Sequence, residues 1–296
     1  MHGQPGQPVH QTFGGDSFNT AAYLARLSGE ALKIEYVTAL GRDSFSHAMR
    51  ARFEQEGVDT AWVRTIDDRL PGLYFIETDE TGERRFHYWR SEAAARFMFD
   101  GEQGEALLNQ LASSDTLYLS GISLAILTET GRQRLMAALP ELRGQGVKVV
   151  FDNNYRPRLW PDAASARQAH QAMLGHVDMA IVTFDDDQTL FGFEDCEALF
   201  DVYRERGVSE IVIKRGADSC LIEADGSRHE VPGEKVTSVV DTTAAGDSFS
   251  AGYLACRLSG GKPEQAARWG HRLAGAVIGH RGAIIAPEYM PAMPEA

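Results

Sequence analysis

No apolar stretch in this chain approaches the roughly 20 residues that span a bilayer. Its first eleven residues are polar and hold no apolar core of a secretion signal. No membrane partner is therefore expected, and the expected location is cytoplasmic. Cysteine is scarce: Cys196, Cys220 and Cys256 form no CxxC pair and no even framework, which points to free thiols in a reducing compartment. Basic residues are outnumbered, 29 Lys and Arg against 42 Asp and Glu, for a net charge of −13. With no basic stripe to offset that, nucleic acid is excluded as a partner. Any phosphate site must then be a local positive island in an acidic field. The nine histidines show no HxxxH or HExxH spacing. No GxGxxG turn follows a first strand and no Walker-A lysine motif exists, so the commonest nucleotide loops are both missing. Repeats and low-complexity tracts are absent as well.

What is present is an ordinary globular composition, 43% hydrophobic and 24% charged in 296 residues, enough for one large domain with a small appendage. Beyond residue 110, short apolar runs alternate with helical patterns. Runs at 116–121, 147–152, 179–183 and 211–214 flank helices expected near 128–143, 163–174 and 195–206. Continuous runs suit strands covered on both faces. Strands separated by helices predict an α/β fold with a doubly wound, mostly parallel sheet, whose ligands lie beyond the carboxyl ends of the strands. Asn153, Asn154, Thr183, Lys214 and Asp241 fall at such ends. Residues 61–90 break the rhythm. Runs at 61–66, 73–78 and 84–89, joined by turn formers at 67–71 and 79–83, predict an antiparallel β lid over the crevice, with residues 9–14 as a further candidate strand.

Residues 241–249 read Asp-Thr-Thr-Ala-Ala-Gly-Asp-Ser-Phe after a β-branched run at 236–240, and they open a helix near 248–258. A strand that breaks into small residues and enters a helix presents free amides at the positive end of the helix dipole, which holds an anion. An aspartate at that mouth repels a phosphate but suits a base that deprotonates a hydroxyl as a phosphoryl group arrives. Asp247 is the candidate base, and a carboxylate of ordinary pKa suffices if the proton leaves late. A helix N-cap is a second, compatible role. The amides of Ala244, Ala245 and Gly246 would steady the transferred group.

This segment resembles the C-terminal signature of the ribokinase-like (PfkB) carbohydrate kinases, Asp-Thr-x-Gly-Ala-Gly-Asp. Ala244 stands for the first glycine, as in the family's 2-keto-3-deoxygluconate kinase branch. Phe13-Gly14-Gly15-Asp16-Ser17-Phe18-Asn19 resembles the first signature, Gly-Gly-x-x-x-Asn. The resemblance implies a single kinase domain over 1–296 with a β lid, ATP as phosphoryl donor, and magnesium. It implies that Gly14, Gly15, Asp16, Asn19, Tyr74 and Tyr88 meet the sugar. Asn154, Lys214, Gly216, Asp241 and Thr242 would line the nucleotide side. Thr183 and Asp186 stand where many members carry Asn-x-x-Glu, making Asp186 the metal candidate. Arg90 and Arg156 would recognise a carboxylate by forked hydrogen bonds, so the implied acceptor is the 6-hydroxyl of 2-keto-3-deoxygluconate. A neutral-sugar kinase for fructose or ribose, or a binding protein that lost turnover, remain alternatives. The family pattern also implies a first strand ahead of Gly14, where only a polar segment stands here. Trp62, Leu73, Phe75 and Trp89 suggest a homodimer through the lid.

Overall fold

Runs of consecutive apolar residues make the centre of this molecule, because each such strand has a helix layer on either side. The computed structural model describes residues 2–3, 11–78 and 84–293. In chain order its elements begin with β1 (His2–Gly3), α1 (Asp16–Ser28), β2 (Thr38–Leu40), α2 (Ser44–Gln55), β3 (Val63–Thr65), β4 (Leu73–Thr78) and β5 (Arg84–Trp89). They continue with α3 (Gly101–Gln110), β6 (Thr116–Ser120), α4 (Gly121–Ile126), α5 (Glu129–Gly144), β7 (Lys148–Asp152), α6 (Ala163–Leu174), β8 (Met179–Thr183) and α7 (Phe184–Phe191). Last come α8 (Cys196–Glu205), β9 (Glu210–Lys214), β10 (Cys220–Ala224), β11 (Ser227–Val231), α9 (Ala245–Leu258) and α10 (Pro263–Val277).

The main sheet has the order β11-β10-β9-β8-β7-β6. Strands β6 to β9 are parallel, and β10 and β11 continue the sheet antiparallel. Alternation along the strands sorts the core into two layers. Val149, Phe151, Ala180, Val182, Ile211 and Ile213 pack with Leu107, Leu135, Met173 and Leu199 on one face. Val150, Ile181 and Val212, one residue out of step, pack with Tyr23, Leu254 and Leu273 on the other. Each such fully buried side chain contributes about 1.5–3 kcal/mol, so both faces have a strong reason to stay covered. The doubly wound α/β sheet read from the sequence is the one observed.

The lid has three strands, but one of them is not the one expected. β4 and β5 pair antiparallel, Tyr74 opposite Tyr88, and β1 adds in parallel to β4. The run at 61–66 does not join them: β3 pairs in parallel with β2 instead. Val63 is buried against Phe18, Leu40 and Phe53, and this core contact outweighs a place in a solvent-facing flap. Residues 11–14 form no strand, while residues 9 and 10, the 79–83 turn and the side chain of Phe86 lie outside the described residues.

Two further features differ from expectation. The β-branched run at 236–240 is not a strand; Val239 and Val240 are exposed, and the Val240 and Asp241 amides donate to the Ile278 carbonyl at the end of α10. Conversely, β10 and β11 form a hairpin that the sequence reading missed. Its two-residue loop, Asp225-Gly226, has φ of 52° and 71°, the left-handed pair a tight hairpin turn requires.

Among the described residues the outer edge of β6 is unpaired. A cavity of about 560 Å3 runs beside it, lined by Leu24, Ile34, Val37, Trp62, Leu117 and Leu135 among others.

Helices α9 and α10 cross at glycine. A Cβ on Gly252 would lie 2.7 Å from the Trp269 carbonyl oxygen, and one on Gly270 would lie 2.9 Å from the Phe249 ring. Gly270→Val is therefore expected to destabilise the protein by roughly 1–3 kcal/mol through overpacking, seen as a lower Tm in a thermal melt. An unchanged Tm would contradict this close crossing.

Candidate active site

The corner before α9 is built by its own backbone. Ala244 adopts φ 61° and ψ 17°, a left-handed conformation that costs an L-residue roughly 1–2 kcal/mol. Asp241 holds the turn: its Oδ1 accepts from the Thr243 amide at 3.0 Å and the Thr243 hydroxyl at 2.7 Å, and its Oδ2 accepts from the Gly282 amide at 2.9 Å. The Ala245 amide donates to the Thr242 carbonyl at 3.2 Å. That bond closes the turn. The first intrahelical bond runs from the Ser248 amide to the Ala244 carbonyl at 2.8 Å. The Gly246 and Asp247 amides precede it, with no acceptor inside the helix. Thr242 is exposed beside them.

Asp247 lies in the first turn of α9. Asn19, from the first turn of α1, donates through Nδ2 to Asp247 Oδ2 at 2.8 Å. Thr20 Oγ1 donates to the Asp247 carbonyl at 3.2 Å. Burial, then the nearby Asp16 carboxylate, push the Asp247 pKa up to about 7; Asp152 adds to the rise, while the Asn19 bond and Lys214 oppose it. The Asp247 carboxylate thus lies well above the ordinary carboxylate range. A carboxylate near neutrality accepts a proton more readily at physiological pH.

Asp16 opens α1 and is raised in pKa mainly by burial. It accepts from the Ser120 hydroxyl and, at 3.0 Å, from Asn154 Nδ2. Asn154 is buried, with φ of 28°, at the end of β7. The structure therefore joins the first signature, the β6 and β7 strand ends and the α9 corner in one polar cluster.

Lys214 closes β9 and is buried. Its Nζ donates to Asp152 Oδ2 at 2.7 Å and to Ser250 Oγ at 3.3 Å, and Ser250 donates to the same Asp152 oxygen at 3.1 Å. A Cβ on Gly246 would lie 3.5 Å from Lys214 Nζ, so the ammonium underlies the free amides. The ion pair between Lys214 and Asp152 thus lies directly beneath the start of α9. Sequence reasoning overlooked Asp152, Ser250, Ser120 and Thr20. Asp152 ends an apolar strand and Ser250 lies one helical step from Asp247, which are the only signals either offered. Gly216 turns the chain after β9 with φ of 63°.

On the lid side, Tyr74 and Tyr88 have ring centroids 6.2 Å apart, and the Arg90 guanidinium lies 4.4 Å over the Tyr88 ring. A Cβ on Gly14 would meet the Tyr74 hydroxyl at 3.2 Å and Asn19 Oδ1 at 3.6 Å. Glycine there lets the backbone approach closely; Gly15 follows as the cap of α1. Arg156 donates through Nη1 to both oxygens of Asp186, each at 3.1 Å. The two arginines have different neighbours: Arg90 lies by Tyr88 and feels Asp16, whereas Arg156 is held on α7. Among the described residues no group of three acidic, His or Cys side chains is placed to hold a metal.

Residues 3–289 match the family described as pfkB family carbohydrate kinase. The 2-dehydro-3-deoxygluconokinase of Escherichia coli (strain K12) is 52% identical over 293 residues, covering 98% of this chain and 95% of the relative. The protein of that name from Dickeya dadantii (strain 3937) is 51% identical, covering 98% and 94%. Among solved structures, a putative ribokinase II from E. coli in complex with ATP and Mg2+ shares the fold. Its TM-score is 0.79 at 22% identity, covering 97% of this chain and 90% of that one. With matches to almost its whole length, and with both signature segments meeting at one half-buried carboxylate, this chain belongs to the pfkB family of carbohydrate kinases.

Proposed function

We propose that this chain is a 2-dehydro-3-deoxygluconokinase, transferring the γ-phosphoryl group of ATP to the 6-hydroxyl of 2-keto-3-deoxygluconate. The single observation that carries the chemistry is Asp247, a half-buried carboxylate raised toward neutrality beside the free amides of α9. As O6 forms its bond to phosphorus, the O6 proton passes to Asp247. The bond from phosphorus to the bridging oxygen breaks, and its electron pair leaves on ADP. The Gly246 and Asp247 amides and the Lys214 ammonium take up charge on the moving group. Tyr74 and Tyr88 form the lid face of the sugar site, with Arg90 supplying a cation for the sugar carboxylate.

Magnesium fits this site as a partner of ATP rather than a caged ion. Mg2+ is commonly held by one or two carboxylates, phosphates and water, and Asp186 is the candidate carboxylate. When bound, the ion neutralises phosphate charge. The neutral-sugar and turnover-deficient readings are not favoured, because relatives at 52% and 51% identity carry the acidic-sugar name.

Residues 1–296 are read as one kinase domain whose sheet has room for another strand beside β6, supported by the unpaired edge and the adjoining cavity. No helix of the described residues is long and apolar enough to cross a membrane. A cytoplasmic location is supported by three free cysteines and an ATP-dependent reaction. A homodimer through the lid is supported by Trp89, 60% exposed, and Leu70, 61% exposed. Trp62 leaves that list, since it packs against the main core.

Three measurements test these readings. Asp247→Asn is expected to lower kcat by roughly 10²–10⁴-fold with little change in ATP affinity; near-normal kcat would remove Asp247 from the role of base. Arg90→Ala is expected to raise KM for the sugar acid much more than for ATP, and equal effects on both substrates would refute carboxylate recognition. Light scattering should give the mass of a dimer that falls to a monomer in Trp89→Glu, whereas a wild-type monomer would reject the lid interface.

A further inference from the structure

Asn19 and Asp247 come from opposite ends of the chain and meet in the first turns of two helices that pack on each other, α1 and α9. The Asn19 side chain is 4% exposed, and its Nδ2 donates at 2.8 Å to one carboxylate oxygen only, Oδ2. Its own Oδ1 is buried and accepts no hydrogen bond. A side chain whose donor is engaged and whose acceptor is idle serves the group it donates to. Burial of an unpartnered amide oxygen costs free energy, so the contact is retained against that cost.

We infer that Asn19 is a positioning residue for the base: it clamps Oδ2 of Asp247, turns Oδ1 toward the acceptor hydroxyl, and favours the ionised carboxylate. This inference rests on the kinase reading above. The groups that bear on Asp247 from its surroundings are Asp16 and Tyr23 on α1, Tyr74 on the lid, Tyr118 on β6, Asp152 on β7 and Lys214 on β9. Among them Lys214 alone opposes protonation, and its ammonium is already paired with Asp152. Among the described residues the Asn19 amide is therefore the only side-chain group that donates directly to this carboxylate. Asn154 has the same relation to Asp16, with Nδ2 donating and Oδ1 idle. The two asparagines thus steady the two carboxylates that compete for charge.

The test is the pH dependence of kcat with 2-keto-3-deoxygluconate and ATP, for the wild type, Asn19→Ala and Thr20→Val. Without the hydrogen bond to its charged form, Asp247 holds its proton to higher pH. The acid limb of Asn19→Ala should move up by about one pH unit, with much of the lost kcat regained at high pH and KM for ATP unchanged. Thr20→Val, which removes a contact to the Asp247 main chain, should leave the limb in place. Should the alanine variant not fold, Asn19→Ser is measured instead, with the same shift expected. A loss confined to KM for the sugar would make Asn19 a substrate contact, and a uniform loss at all pH values a merely structural residue; both overturn the inference. A wild-type profile with no acid limb, or one unchanged in Asp247→Asn, would instead overturn the assignment of the base.

Discussion

A half-buried negative charge without a salt bridge is the constraint on which this site depends. Asp247 is withdrawn from water and lies near Asp16 and Asp152, so its ionised form is expensive. What makes it tolerable is local and directional: the first turn of α9, one amide hydrogen of Asn19, and the Lys214 ammonium below. Two of these, the α9 turn and the ammonium, are also what a phosphoryl group needs as it arrives. The arrangement that stabilises the base is therefore the one that stabilises its reaction partner.

The fold supplies these groups by ending several elements at one place. Strands β6, β7 and β9 deliver Ser120, Asp152 with Asn154, and Lys214 at their carboxyl ends, and α1 and α9 deliver Asp16, Asn19 and Asp247 at their amino ends. The glycine crossing of α9 on α10 and the Asp241 bond to Gly282 fix the height of the corner. A shift in either would misplace the free amides. Distance from the chemistry therefore does not make these contacts irrelevant to it.

Much of this was legible in the chain. Continuous apolar runs implied covered parallel strands, and β8 and α6 fall on the expected residues. The two signature segments implied the corner and its base. What escaped notice was set by tertiary contact. β3 reads like a lid strand, yet Val63 is claimed by a buried cluster. The run at 236–240 reads like a strand, yet it bonds to the end of a helix rather than to a sheet. The Asp225-Gly226 loop was visible as a turn signal, but its flanks alternate weakly. Asp152 was hidden because an acid at the end of an apolar strand gains meaning only when Lys214 is placed opposite it. The raised pKa of Asp247 likewise depends on burial and on Asp16, neither of which spacing can express.

The central claim is that Asp247 Oδ1 faces the acceptor oxygen while the α9 amides face the phosphoryl group. A crystal structure with 2-keto-3-deoxygluconate and a non-hydrolysable ATP analogue tests it most directly. The account predicts the sugar's 6-hydroxyl within about 2.6–3.2 Å of that oxygen and the γ-phosphate against Gly246. A 6-hydroxyl bound to another carboxylate, or a γ-phosphate remote from the start of α9, would contradict it.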